Sequence, residues 1–438
     1  MSSPETPPEP ASDQPSDAVP QVVEHLFRHE SARIVATLTG IFGVEHLTLA
    51  EDVVQETLAR ALQTWPFYGV PDNPAAWIMR ASRNLALDVV RRQKVFRDKE
   101  PEIIRLLEDH MDRPNAGSAS GPESDELSDD RLRLMFVCCH PVVPVEAQVA
   151  LALRTLCGFG TEEISRAFLT SEAAIAKRLV RARAKIRDAQ IPFAIPEGAE
   201  LAERLDGVLH TLYLLFNEGY KTSVGPKLIR EDICHEAIRL ASLLTSHPAG
   251  NQPKAHALLA LMLLNAARLP ARVDDDGNLV RLPEQDRSQW DRSLIARGML
   301  HIARSAAGAE ISEYHVQAGI AAVHAASADE ASTDWRRIRV LYDHWITMDD
   351  SPVVALNRAV AISMLEGPQA GLAAVIAIPQ RAKLESYYLL YSVLGDFESR
   401  LGNREAAAAH FRRALELVES DSEKRFLAGR LELVGGRW

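Results

Sequence analysis

The chain has 438 residues, 47% of them hydrophobic and 25% charged, with a formal net charge of -11. That length holds roughly two to four domains, and that apolar content builds sizeable cores, which excludes wholesale disorder. The acidic balance excludes a protein that coats nucleic acid along its whole surface.

Residues 1–20 are rich in Pro and Ser, with four acids and no Lys or Arg, and are expected to be a disordered tail. Helical patterning starts near Val22 and continues to about Arg97. Pro66, Pro71 and Pro74 interrupt it and bracket an expected loop from Trp65 to Pro74. Asp52-Val-Val-Gln-Glu-Thr-Leu-Ala-Arg-Ala-Leu62 predicts a helix with an apolar stripe and an acidic, polar rim, a face suited to a basic protein partner. Asn73 to Arg92 predicts a helix with one apolar and one basic face. Between Arg80 and Arg97, Arg80, Arg83, Arg91, Arg92, Lys94 and Arg97 oppose Asp88 alone. Each phosphate contact by such a face adds salt-dependent affinity through counterion release. Asn84 can hydrogen-bond a base edge. Trp77, seven residues earlier on the same face, is either a core residue or a platform for a base. Trp65, Phe67 and Tyr68 add aromatics in the preceding loop, and aromatics beside a basic groove suit single-stranded bases.

Residues 98–130 hold 11 acids against three bases, with Gly, Ser and Pro in the middle. They are expected to be an acidic linker, either solvated or threaded through a basic channel. Helical patterning resumes over 131–190. From Gly160 to Arg187 the grammar is helix–turn–helix. Thr161 is the expected N-cap of a short helix, Leu169-Thr170-Ser171 a turn, and Ser171 the cap of a second helix. Lys177, Arg178, Arg181, Arg183, Lys185 and Arg187 make that second helix basic, while Ile175, Leu179 and Ile186 give it an apolar side. Its N-terminal part would enter the major groove, with Ser171, Glu172 and Ala174 toward bases and Lys177, Arg178 and Arg181 on phosphates.

Beyond a short Pro-bounded connector the pattern is helical to the end. The expected helices are Leu201–Tyr220, Leu228–Ser246, Lys254–Leu269, Asp286–Ala306, Glu313–Ala326, Trp335–Met348, Pro352–Glu366, Leu384–Leu401, Arg404–Glu419 and Glu423–Val434. No alternating strand pattern occurs, so the fold class is all-α. Gly367-Pro-Gln-Ala-Gly-Leu-Ala-Ala and Gly402-Asn-Arg-Glu-Ala-Ala-Ala-Ala share a spacing close to the tetratricopeptide period of ~34 residues, so residues 197–438 are expected to form a tetratricopeptide-like array.

Other constellations are rejected. Cys138-Cys139-His140 lacks the spacing of a tetrahedral metal site. Asp274-Asp-Asp-Gly-Asn278 would place Arg272 at the first position of a calcium loop, where it cannot coordinate. No metal, cofactor or catalytic motif is expected, and the chain is not expected to be an enzyme. The four cysteines, Cys138, Cys139, Cys157 and Cys234, form no CxxC pair. With no apolar run of about 18 residues and no secretory leader, they fit a reducing, cytoplasmic setting without membrane insertion.

Taken together, residues 22–190 resemble the sigma-70 family, specifically extracytoplasmic-function (ECF) sigma factors. Ala50–Leu62 resembles the segment that binds the clamp helices of core RNA polymerase, which implies that Asp52, Gln55, Glu56 and Arg60 contact polymerase. Ala75–Arg92 resembles the promoter-melting and −10-recognition segments, which implies that Trp77, Arg80, Arg83, Asn84, Asp88, Arg91 and Arg92 face −10 DNA. Gly160–Arg187 resembles the −35-recognition domain. The implied organisation is region 2 over 21–97, a linker over 98–130 and region 4 over 131–190. The remainder is similar to the tetratricopeptide-like extension of one ECF subgroup, a regulatory module for a protein or small-molecule partner. The alternative is a helix–turn–helix regulator fused to a ligand-binding or enzymatic helical domain. That alternative leaves the acidic helix and the first basic region without a role.

Overall fold

Helices make up 78% of the computed structural model, with no strand among the described residues. The described residues are 18–92, 100–111, 122–168, 170–220, 230–274, 280–418 and 421–436. The chain divides into two compact units, residues 1–165 with 171–204, and residues 166–170 with 205–438.

In the first unit, α1 (Ala18–Phe42), α2 (Leu47–Tyr68) and α3 (Pro74–Arg92) pack on one another. They bury Ile34 and Leu38, Val53, Val54 and Trp65, and Ile78, Leu85 and Val90, apolar positions that recur at helical spacing. α2 and α3 also meet through a buried hydrogen bond between the Thr57 and Ser82 hydroxyls, 3.0 Å apart. Asn73 caps α3 by accepting from Ala76 N at 3.0 Å, and Pro74 follows where its missing N–H costs nothing.

Three expectations need correction here. The tail expected through residue 20 gives way to α1 at Ala18; residues 1–17 lie outside the described part. Trp65 is not in a loop. α2 runs through Pro66 to Tyr68 and stops where Gly69 takes φ 81°. Trp65 is 1% exposed, and its burial holds the last turn in place despite the proline. Finally, residues 100–111 are not plain linker. They form α4 (Glu100–Met111), whose Ile103 and Leu107, four apart, are buried in packing against α1 and α3.

α5 (Pro122–Cys138), α6 (Val145–Thr155), α7 (Thr161–Ala167) and α8 (Glu172–Asp188) follow. α5 packs on α1, and α6 on α8. The unit extends beyond the expected boundary at 190. Phe193 lies against Gly40, where an added Cβ would sit 3.1 Å from its ring. Arg204, buried, donates to the Phe136 carbonyl at 2.6 Å.

Apart from residues 166–170, the second unit runs from within α9 (Gly198–Tyr220) through α10 (Glu231–Ser246), α11 (Pro253–Ala266), α12 (Arg292–Ser305), α13 (Glu313–Ala326), α14 (Trp335–Met348), α15 (Pro352–Glu366), α16 (Pro368–Ile376), α17 (Tyr388–Arg400), α18 (Arg404–Leu417) and α19 (Asp421–Leu433). The bounds of α13, α14 and α15 are those read from the sequence. Expected Asp286–Ala306 is instead a turn of 3-10 helix at Arg287–Gln289 followed by α12, because Asp291 caps the true start by accepting from Ser293 N and Leu294 N. Expected Leu384–Leu401 shortens to α17, since Arg381–Leu384 is a separate 3-10 turn. The start of the expected Leu228–Ser246 helix lies outside the described residues. From α10 to α19 each helix packs on the next in chain order, and α11 also packs on α13. Gly367 (φ 92°) and Gly402 (φ 81°) make the equivalent tight turns before α16 and α18. Gly371 and Gly395 let Phe397 and Phe411 approach so closely that a Cβ would sit 2.8 Å and 2.7 Å from their rings.

Candidate nucleic-acid interface

α2 shows a clean division. Val53, Val54, Thr57 and Leu58 are buried while Asp52, Glu56 and Arg60 are exposed and Gln55 is half-buried. Glu56 accepts from Arg60 Nε at 3.0 Å, an exposed i,i+4 pair that orders the rim. All four expected polymerase contacts therefore lie together along one helix.

On α3 the buried stripe leaves Arg80, Asn84, Arg91 and Arg92 exposed, with Arg83 and Asp88 half-buried. Asp88 lies 3.9 Å from Arg92. Lys94 and Arg97 fall outside the described residues. Trp77 does not stand out on this face. It is half-buried and packs edge-on against Trp65, with centroids 5.4 Å apart. The exposed aromatics are instead Phe67 at 83% and Tyr68 at 86%, at the end of α2 just before α3. Large rings left in water next to a basic helix are the groups that gain most from stacking on an unpaired base.

α8 buries Ile175, Leu179, Ala182 and Ile186 and exposes Lys177 and Arg181, with Arg178 half-buried. Ser171 caps it, its hydroxyl accepting from Ala174 N at 3.2 Å. Ser171, Glu172 and Ala174 are exposed at the N-terminal end of the helix. Two details differ from expectation. Thr161 is the first helical residue of α7 rather than its cap, and Glu163 instead accepts from Gly160 N at 2.8 Å. Glu172, expected toward bases, accepts from Thr161 Oγ1 at 2.7 Å and so ties α7 to α8.

One pairing had no signal in the sequence. Glu51, next to Asp52, is buried and accepts from Thr155 Oγ1 of α6 at 2.6 Å and from Arg183 of α8 at 2.6 Å. Burial pushes its carboxyl above the usual range, against the pull of Arg183, Thr155 and Arg154. Two partners more than 100 residues away thus fasten the acidic helix to the helix–turn–helix within the first unit. The four cysteines are buried and form no disulfide. Among the described residues no group of three or more His, Cys, Asp or Glu is disposed to hold a metal ion. No described helix is long and apolar enough to cross a membrane.

A helical unit with an acidic rim, a basic helix beside exposed aromatics, and a capped basic recognition helix defines a promoter-reading protein of the sigma-70 class. Comparison with known families agrees. Residues 26–95 match sigma-70 region 2, residues 133–186 match sigma-70 region 4, and residues 204–306 match a family of unknown function (DUF6596). The chain is 41% identical over 388 residues to Uncharacterized protein R00370 of Rhizobium meliloti (strain 1021), covering 88% of this chain and 90% of that one. It is 28% identical over 166 residues to ECF RNA polymerase sigma factor SigE of Mycolicibacterium smegmatis, covering 38% of this chain and 60% of that one. No solved structure matches. The chain belongs to the ECF-type sigma-70 factors, with a C-terminal extension of the DUF6596 family. It is a sigma factor that directs transcription initiation, with core RNA polymerase and promoter DNA as its partners.

Proposed function

We propose that the labour is divided among three helices. Asp52, Gln55, Glu56 and Arg60 on α2 dock on core polymerase. Arg80, Arg83, Asn84, Arg91 and Arg92 on α3 hold the −10 region, with Asp88 at the margin of that face. Phe67 and Tyr68 take the stacking role expected of Trp77, which instead braces Trp65. Ser171 and Ala174 face −35 base edges, while Lys177, Arg178 and Arg181 grip phosphates and Glu172 stiffens the motif.

The observation that carries this reading is the full or partial exposure of the polar residues of α2, α3 and α8 over buried apolar stripes. A merely structural amphipathic helix has no need of so one-sided a charge on α3 and α8. The remaining helices form a module that regulates initiation by answering a partner, and residues 22–204 form the promoter-reading part.

Polymerase docking is tested by reversing Asp52 and Glu56, four apart on one face, to Lys. Opposite a basic surface they steer and orient docking. The double variant should keep its helical signal and fail to co-purify with core polymerase. Normal co-purification would remove α2 from this role.

A further inference from the structure

Three arginines converge in the second unit around two aromatic rings. The Arg268 guanidinium lies 5.6 Å from the centre of the Trp290 ring and Arg287 lies 5.2 Å from it. Arg272 sits 3.8 Å over Tyr220. Among the described residues no carboxylate lies within ion-pairing distance of the three, and Asp329 and Glu330 favour the charge of Arg287 from farther off. Glu218, near Tyr220 on α9, is raised to about 7 by burial alone.

Two of the arginines have evident structural work. Arg272 donates to the Tyr220 carbonyl at 2.7 Å, at the C-terminal end of α9. Arg287 donates to the carbonyls of His324 and Ser327 at 2.9 Å and 3.1 Å, at the end of α13. Such carbonyls carry the negative end of the helix dipole. Arg268 has no such partner. It makes one long hydrogen bond, 3.3 Å, to the neutral Gln285 side chain. Burial, and less strongly Arg272, act against its charge, while Tyr220 acts in its favour.

Around these cations lie buried polar atoms with no hydrogen-bond partner: the Tyr220 hydroxyl, the Trp290 indole N–H and His324 Nδ1. Burial, with Arg268 and Arg287 nearby, lowers His324 to about 4, so it is neutral and adds no further charge at pH 7. The cluster is thus rich in donors and poor in acceptors. A buried donor left unpaired opposes folding, and of the three arginines Arg268, half-buried, is the one held by the weakest partner. A ligand that brings acceptor oxygens and negative charge would supply what Arg268, the Tyr220 hydroxyl and the Trp290 indole N–H lack.

We propose that this cluster is a binding site for a small oxyanion, a phosphate or carboxylate group, with Arg268 as its principal charge contact and Tyr220 and Trp290 as neutral donors. The site lies on residues that no comparison assigns a role, and the proposal does not rest on the DNA-contact assignments. It gives the C-terminal module a small-molecule partner in place of a protein one.

The test uses the full chain, with calorimetric titration and thermal melting against inorganic phosphate and, separately, succinate, each up to about 10 mM, since a ligand bound only to the folded state raises the melting temperature. At least one anion should bind with a 1:1 stoichiometry, and which one binds separates phosphate from carboxylate chemistry. Arg268→Met should weaken binding at least ~10-fold, as expected for a lost charge-assisted hydrogen bond. Tyr220→Phe removes only a hydroxyl that has no partner. Without ligand its melting temperature should stay unchanged or rise, while its affinity falls several-fold. This second variant decides the matter if Arg268→Met fails to fold. The proposal is overturned if neither anion binds, if binding is equal in wild type and Tyr220→Phe, or if Tyr220→Phe is destabilised without ligand.

Discussion

At the scale of single residues, Glu51 and Arg183 carry an energetic commitment that local pattern cannot reveal. Their side chains are 7% and 17% exposed and meet at 2.6 Å. A buried pair need not stabilise relative to apolar residues, but removing one partner strands the other charge, at about 3–5 kcal/mol. Arg183→Met should therefore destabilise the first unit by that order, while Glu51→Gln with Arg183→Met should cost less than the sum of the two single changes. A denaturant double-mutant cycle measures the difference; additive losses would mean that the two groups do not communicate. Phe67 and Tyr68 support a separate prediction. Replacing both by Ala removes rings that are 83% and 86% exposed, so the fold should be unaffected. Duplex binding should survive while promoter opening, read by permanganate reactivity, declines. An opening defect with Trp77→Ala would be less diagnostic, since that ring also packs on Trp65.

At the scale of helices, amphipathic pattern was a good guide where one face is buried and the other charged. The basic faces of α3 and α8 and the acidic rim of α2 were legible from residue spacing alone. Pattern failed where a tertiary contact overrode a local signal. Pro66 argued for a loop, but burial of Trp65 carries α2 past it. The acidic composition of 98–130 argued for a linker and masked the Ile103–Leu107 stripe that makes α4. The bond from Glu51 to α6 and α8 spans over 100 residues, and no periodicity encodes it. For α8, Arg178→Ala with Arg181→Ala should weaken −35 duplex binding and flatten its salt dependence by about one unit of slope per lost phosphate contact. An unchanged slope in salt titrations would move the phosphate grip elsewhere. In the second unit, His256 of α11 and His301 of α12 place their Nδ1 atoms 2.9 Å apart, and His256 also meets Asn251. Burial, then the neighbouring His256, Arg304 and Arg297, depress His301 to about 4, and burial with Arg304 depresses His256. The unfolded chain takes up these protons near pH 6.5 and the folded chain resists them, so stability is full above about 6.5 and falls as pH drops toward 4. The melting temperature should fall between pH 7 and pH 5, and less steeply in His301→Gln. Equal slopes would show that the pair does not drive the acid response.

At the scale of the whole molecule, the boundary between the promoter-reading part and the C-terminal module lies later than the sequence suggested. Ile191, Phe193 and Arg204 belong to the first unit, the last through its bond to the Phe136 carbonyl. A chain ending after Asp206 keeps these contacts, whereas one ending after Gln190 removes them. At matched concentration, the chain ending after Asp206 should transcribe its target promoter at a level different from the full chain if the module regulates initiation. Identical output under every condition would make the module passive. The central claim, that this chain directs initiation through α2, α3 and α8, is tested most directly by reconstituted run-off transcription. Core RNA polymerase is combined with the full chain or with the Asp52→Lys, Glu56→Lys double variant on a template whose promoter is mapped from the chain's own transcripts. The account predicts a discrete run-off product with the full chain and none with the variant at equal concentration. Absence of promoter-specific product with the full chain, or equal product with both proteins, would contradict it.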